Sequence, residues 1–154
     1  MTKSVLFVCL GNICRSPLAE AAFKREAEAL GLDVEIDSAG TGDWHIGHPP
    51  DPRATSVAER NGVDITHLRA RQVTPDDFRR FDHIVALDAQ NLDDLERMRP
   101  AGGTAELSLL LDHVEGREGE AVADPYYGED EHFDLTWADV TAGAKALARR
   151  LARG

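Results

Sequence analysis

Apolar and polar positions fall into blocks along the chain, and the blocks read alternately as strands and helices. Ser4 to Cys9 (SVLFVC) is a nearly unbroken apolar run with Val5, Phe7 and Val8 as strand formers, the pattern of a buried strand. Ser16 followed by Pro17 is a helix-start signal. Ala19, Phe23, Ala27 and Leu30 follow at helical spacing, and Gly31 ends the helix. Val34 to Asp37 reads as a second strand. Asp51-Pro52 starts another helix that Gly62 ends, and Thr74-Pro75 with Asp77 marks a third start. His83 to Leu87 is a third strand, and Asp88 can cap the helix that carries Leu92 and Leu95. Leu107 to Leu111 is ambiguous and can hold a fourth strand. Val140, Ala144, Leu147 and Leu151 form the apolar stripe of a last helix, with Arg149, Arg150 and Arg153 near its negative end.

Strands alternating with helices imply right-handed βαβ units and a parallel sheet. Ligands in such folds sit at the carboxyl ends of strands, near helix N-termini. The segment between Cys9 and Ser16 is therefore the first place to look for chemistry. No repeat, linker or low-complexity tract divides the chain, so residues 1–154 read as one domain.

Composition narrows the function. A net charge of −11 gives no surplus for neutralising phosphates along a nucleic acid, so no nucleic-acid partner is expected. The longest apolar runs, Val5–Leu10 and Ile84–Leu87, fall well short of the roughly 18 residues a membrane span needs. Gly11 and Asn12 stop the first run before any leader-type cleavage site, so a cytoplasmic protein without a membrane partner is expected. The two cysteines, Cys9 and Cys14, then start as free thiols and cannot form a four-cysteine zinc site. His45 and His48 are three apart but have no evident third ligand, so no metal is expected. Gly40-Thr41-Gly42 begins like a dinucleotide fingerprint, but His45 holds the third glycine position and no helix start follows.

The loop reads Cys9-Leu10-Gly11-Asn12-Ile13-Cys14-Arg15-Ser16. Its length can wrap a ring of backbone N–H groups around one tetrahedral anion. Gly11 and Asn12 tolerate the left-handed backbone such a nest needs. The following helix points its positive end into the ring, and Arg15 can offer a planar fork to two phosphate oxygens. Cys9 would lie beneath the phosphorus as a nucleophile, since cations and helix N-termini favour the thiolate. The competing reading is a buried cysteine that merely ends a strand.

VCLGNICRSP at Val8–Pro17 resembles the phosphate-binding loop of the low-molecular-weight protein tyrosine phosphatases. SAGTGDWHIGHPPDPRA at Ser38–Ala54, ARQVTPDDF at Ala70–Phe78, FDHIVALDAQNL at Phe81–Leu92 and DPYYGED at Asp124–Asp130 resemble later segments of the same family, in its order. The resemblance implies an α/β single-domain three-layer sandwich, a four-stranded parallel sheet with helices on both faces. It implies hydrolysis of phosphotyrosine in protein substrates through phosphocysteine on Cys9, without a cofactor, with inorganic phosphate as product. Arg15 and the loop residues Leu10, Gly11, Asn12, Ile13, Cys14 and Ser16 would bind the phosphate. Asp124 matches the family's general acid, which the chemistry needs because a phenol of pKa about 10 leaves poorly as an anion.

 By resemblance, Trp44 and Tyr126 or Tyr127 wall the cleft above the phosphate, where flat rings suit a phenyl group by stacking. Packing on the core is the alternative. Asn12, Ser16 and Ser38 match a network that holds the loop in shape. His67 resembles that network's histidine, but it lies three residues before Ala70 where the family usually has two, so a surface role is an open alternative. Ser16 can also donate to the Cys9 thiolate, and Asp88 can orient Arg15 or Ser16. Both residue types serve equally as helix caps. Cys14 either bridges to an oxidised Cys9 or packs as a small apolar residue.

Three other functions compete. An arsenate reductase on the same scaffold would need further cysteines, and none follows Cys14. A binding module would not need nucleophile, arginine and acid together. Phosphoarginine hydrolysis is a variant within the family, whose members of that kind tend to carry threonine where this chain has Ile13.

Overall fold

A computed structural model describes residues 2–154. Four strands, β1 (Lys3–Cys9), β2 (Val34–Gly40), β3 (His83–Ala86) and β4 (Glu106–Leu109), form one sheet in the order β2-β1-β3-β4. Every pairing is parallel, with Cys9 opposite Gly40 and Val8 opposite Ala86. The helices are α1 (Arg15–Ala29), α2 (Pro52–Arg60), α3 (Asp77–Arg80), α4 (Ala89–Met98) and α5 (Asp130–Arg153). Leu107–Leu111 resolves into β4 followed by a 3-10 turn, Leu110–His113.

The sheet is covered on both faces, because β1 is central and apolar throughout. Val5 and Phe7 point into one cluster with α1, α2 and α5, where the Phe7 and Phe23 rings stand 5.4 Å apart. Leu6 and Val8 point into the other, with Phe78, Phe81, Ile84 and Leu95. The predicted stripe of α5 is buried in the first cluster, extended by Phe133 and Trp137. These layers form the three-layer sandwich.

Local signals set most boundaries. Gly31 adopts φ +63°, while Leu32 N–H donates to Ala27 O and Gly31 N–H to Glu28 O, a left-handed helix stop. Asp51 and Asp88 cap α2 and α4 through Arg53 N–H and Asn91 N–H. Thr74-Pro75 yields a single helical turn that begins at Asp77, whose carboxylate accepts from Thr74 N–H. Ser16 is not a cap. The first helix starts one residue earlier, at Arg15, with Cys14 in the cap position and no side-chain capping bond. The Ser16 hydroxyl is instead turned toward Cys9 and Asn12.

Candidate active site

The turn between β1 and α1 lies at the carboxyl edge of the sheet. Asn12 takes φ +57°, which curls the chain back over Cys9. Asn12 N–H points at Cys9 Sγ at 3.3 Å, and Ser16 Oγ lies 3.1 Å from the same sulfur. Among the described residues, the N–H groups of Gly11, Ile13, Cys14, Arg15 and Ser16 donate to no protein acceptor. They and the first turn of α1 make a concavity of positive potential around the thiol.

Arg15 closes this ring from a buried position, 3% exposed. Its Nη1 donates to Asp88 Oδ2 at 2.7 Å and to Val122 O at 2.8 Å, and its Nη2 lies 3.7 Å from Asp124 Oδ2. Burial opposes its charge, but Cys9, Asp88 and Asp124 outweigh that and raise its pKa above the ordinary arginine value. Asp88 thus both caps α4 and orients Arg15.

A buried network supports the turn. Asn12 Nδ2 donates to Ser16 Oγ at 2.8 Å and to Ser38 Oγ at 3.0 Å, while Asn12 Oδ1 accepts from Arg71 N–H at 3.0 Å. Ser38 Oγ donates in turn to Glu20 Oε1 at 2.7 Å. Burial raises the Glu20 pKa, against the hydrogen bond from Ser38. Gly40 admits this close packing: a Cβ there would lie 2.7 Å from Leu10 O. This steric role explains the glycine of Gly40-Thr41-Gly42 without any nucleotide.

His67 is not brought into that network. It is exposed and lines a groove beside Glu20, whose charge it influences only at a distance. The hydrogen bonds of Asn12 and Ser38 go to Ser16, Arg71 and Glu20 instead.

Above the turn, a cleft of about 350 Å³ is lined by Cys9, Ile13, Arg15, Trp44, His45, Asp124, Tyr126 and Tyr127, with Leu10, Gly11 and Cys14. Trp44 and Tyr127 stand at its mouth, 68% and 95% exposed, so neither packs on the core. Tyr126 is partly buried, with its ring centroid 4.9 Å from Tyr127 and 6.2 Å from His45. Asp124 Oδ1 accepts from Tyr126 N–H at 3.1 Å, which folds the segment after the acid into a turn. Cys14 is 4% exposed. Burial, and then the nearby charges of Asp51, Cys9 and Asp124, push its thiol pKa far up, so it stays protonated. The His45 and His48 rings lie 5.8 Å apart. No group of three or more metal-ligating side chains occurs among the described residues, and none of their helices is long and apolar enough to cross a membrane.

Three participants escaped the sequence reading. Glu20 lies four residues after Ser16 on a buried helix face, and a charge at such a position is the signal that would have marked it. Arg71 enters through its backbone N–H, which no side-chain pattern reveals. Arg53, placed in a helix start, reaches across to the segment after Asp124.

Residues 4–154 match the family model described as low molecular weight phosphotyrosine protein phosphatase. The chain is 47% identical to the low molecular weight phosphotyrosine protein phosphatase of Schizosaccharomyces pombe over 138 residues, covering 86% of this chain and 88% of the relative. Its fold superposes with a TM-score of 0.92 on YfkJ from Bacillus subtilis, at 40% identity over 99% of this chain and 96% of the other. A Drosophila arginine phosphatase structure gives a TM-score of 0.89 at 32% identity, over 95% of this chain and 96% of that one.

Proposed function

The chain belongs to the low molecular weight phosphotyrosine protein phosphatase family, and from that premise we propose that it hydrolyses phosphotyrosine in proteins through phosphocysteine on Cys9. The observation that carries this reading is the position of Cys9 Sγ under unpaired N–H groups, beside an Arg15 fork clamped by Asp88 at 2.7 Å. Such donors stabilise the charge spread over a transferring phosphoryl group. Sγ attacks phosphorus, the P–O bond to the phenol breaks in line, and Asp124 gives its proton to the departing oxygen. Asp124, now a carboxylate, takes a proton from water as that water attacks phosphorus. The P–S bond breaks, inorganic phosphate is released, and the Cys9 thiolate returns. Ser16 Oγ at 3.1 Å supports the leaving thiolate by hydrogen bonding.

The cleft favours phosphotyrosine. Trp44 and Tyr126 line it with flat rings on which a phenyl group can stack, which supports phosphotyrosine over phosphoserine. Ile13 lines the same wall with an apolar branched side chain, which suits an aromatic ring better than a guanidinium. The assay is a panel of phosphotyrosine, phosphoserine and phosphoarginine peptides with arsenate, on wild type and Cys9→Ser. Turnover confined to phosphotyrosine, and abolished in Cys9→Ser while phosphate still binds, is expected. Retained turnover in Cys9→Ser overturns the mechanism, and preference for phosphoarginine overturns the substrate.

A further inference from the structure

The start of α2 joins the phosphate loop to the segment carrying the acid. Asp51 N–H donates to Ile13 O at 2.8 Å, inside the loop. The Asp51 carboxylate grips the Arg53 guanidinium twice, through Nε at 3.1 Å and Nη2 at 3.0 Å. That guanidinium reaches the acid segment, donating from Nη1 to Gly128 O at 3.0 Å and from Nη2 to Tyr126 O at 2.8 Å. It stacks 4.7 Å from the Phe133 ring centroid and 5.8 Å from that of Tyr126. Among the described residues, no other side chain from outside the turn hydrogen-bonds to residues 125–128. Asp124 is itself 41% exposed, so its direction depends on the turn that Tyr126 N–H closes onto it.

We propose that Arg53 is a positioning residue for proton transfer: held by Asp51, it fixes the turn so that the Asp124 carboxyl stands over the leaving oxygen above Cys9. The proposal rests on Asp124 acting as the general acid. The task needs a planar fork. A lysine ammonium has its donors on one atom and cannot span the Asp51 carboxylate and two carbonyls together.

The experiment compares wild type, Asp124→Ala, Arg53→Lys, Arg53→Gln and the Asp124→Ala/Arg53→Gln double variant on aryl phosphates, from phenyl phosphate to p-nitrophenyl phosphate. The quantity read is kcat/KM, which covers the steps through phenol release, alongside the melting temperature and inhibition by inorganic phosphate. A general acid contributes roughly 10²–10⁴-fold, so misplacing it should cost about tenfold or more on phenyl phosphate. The loss should shrink on p-nitrophenyl phosphate, whose phenol leaves readily. Arg53→Lys should resemble Arg53→Gln, phosphate inhibition should hold, and Arg53→Gln should add no leaving-group dependence once Asp124 is alanine. If Arg53→Gln does not fold, Arg53→Lys, which keeps the charge and the stem, decides. A loss equal across the series, or no loss, overturns the proposal while Asp124→Ala remains leaving-group dependent. If Asp124→Ala is itself independent of the leaving group, the acid assignment fails and the proposal fails with it.

Discussion

Asn12→Ala tests what keeps the loop from Cys9 to Ser16 curled. At φ +57° an alanine costs about 1 kcal/mol more than asparagine, which tolerates the left-handed region. The change also removes three hydrogen bonds, to Ser16, Ser38 and Arg71 N–H. The two hydroxyls keep their partners Cys9 and Glu20, so each loss is worth about 1 kcal/mol. The Arg71 N–H is left without that acceptor, at a cost of about 2 kcal/mol. Together this is about 5 kcal/mol, comparable to the lower end of a domain's whole stability. If the folded state bore all of it, melting would fall by about 10–20 °C in a chain of this size. If the loop relaxes instead, part of the loss appears as weaker phosphate inhibition, about tenfold per 1.4 kcal/mol. Thermal melting and inhibition by inorganic phosphate, measured on the same samples, should therefore share the loss. Asn12→Gly deletes the same bonds without the backbone penalty and should recover about 1 kcal/mol relative to alanine. An Asn12→Ala protein that melts and binds phosphate like wild type refutes this account, as does a glycine variant no better than alanine.

Arg15→Lys should lose most of its turnover, because an ammonium cannot hold Asp88 and Val122 O and still fork to phosphate. Near-wild-type kcat/KM would refute that. Peroxide should oxidise Cys9 to a sulfenic acid. Cys14, which lines the same cleft, then loses its thiol proton as its sulfur attacks, so that water is released and a disulfide forms that thiol reductant reopens. The burial that favours the Cys14 thiol slows this step. Mass analysis showing oxygen on Cys9 and no crosslink would make Cys14 a packing residue. His113 takes a hydrogen bond from Arg150 at Nδ1 and pairs with Ser108 Oγ through Nε2. Burial first, then Arg150, lowers its pKa, and burial also lowers that of His83. The unfolded chain then binds protons that the folded one resists, so stability present above about pH 6.5 falls as pH drops below it. Melting temperatures between neutral and mildly acidic pH should show this slope, and His113→Gln should reduce it to the part that His83 contributes.

The fold was largely legible because its periodicities are strong. The run before Cys9 reads as a buried strand and forms one, and capping aspartates at 51 and 88 announced their helices. Ser16 misled as a cap because a hydroxyl suited to capping is equally suited to a buried sulfur, and only the tertiary placement of Cys9 and Asn12 decides between them. The second strand runs three residues past Asp37 because its register with β1 continues to Cys9, a pairing invisible in local sequence. At the site, the contiguous loop could be read directly, whereas Glu20, Arg53 and Arg71 act across long separations. His67 shows the converse: a residue of a suitable type, near the network in sequence, faces solvent.

The order in which this chain is made has a consequence for its thiol. The proposed nucleophile and its whole loop precede in the chain the residues that complete the site, so they leave a ribosome first. Their partners come late: Ser38, Arg71 and Asp88, then Val122 and Asp124, and finally α5, which buries its apolar stripe in the cluster that holds α1. At ordinary synthesis rates, on the order of ten seconds separate Cys9 from Asp124. A nascent chain therefore carries its cysteine without the arginine clamp, the acid or the closed network. On the proposed mechanism, a fragment abandoned before Asp88 and Asp124 are made is a chain with a thiol rather than a stray phosphatase.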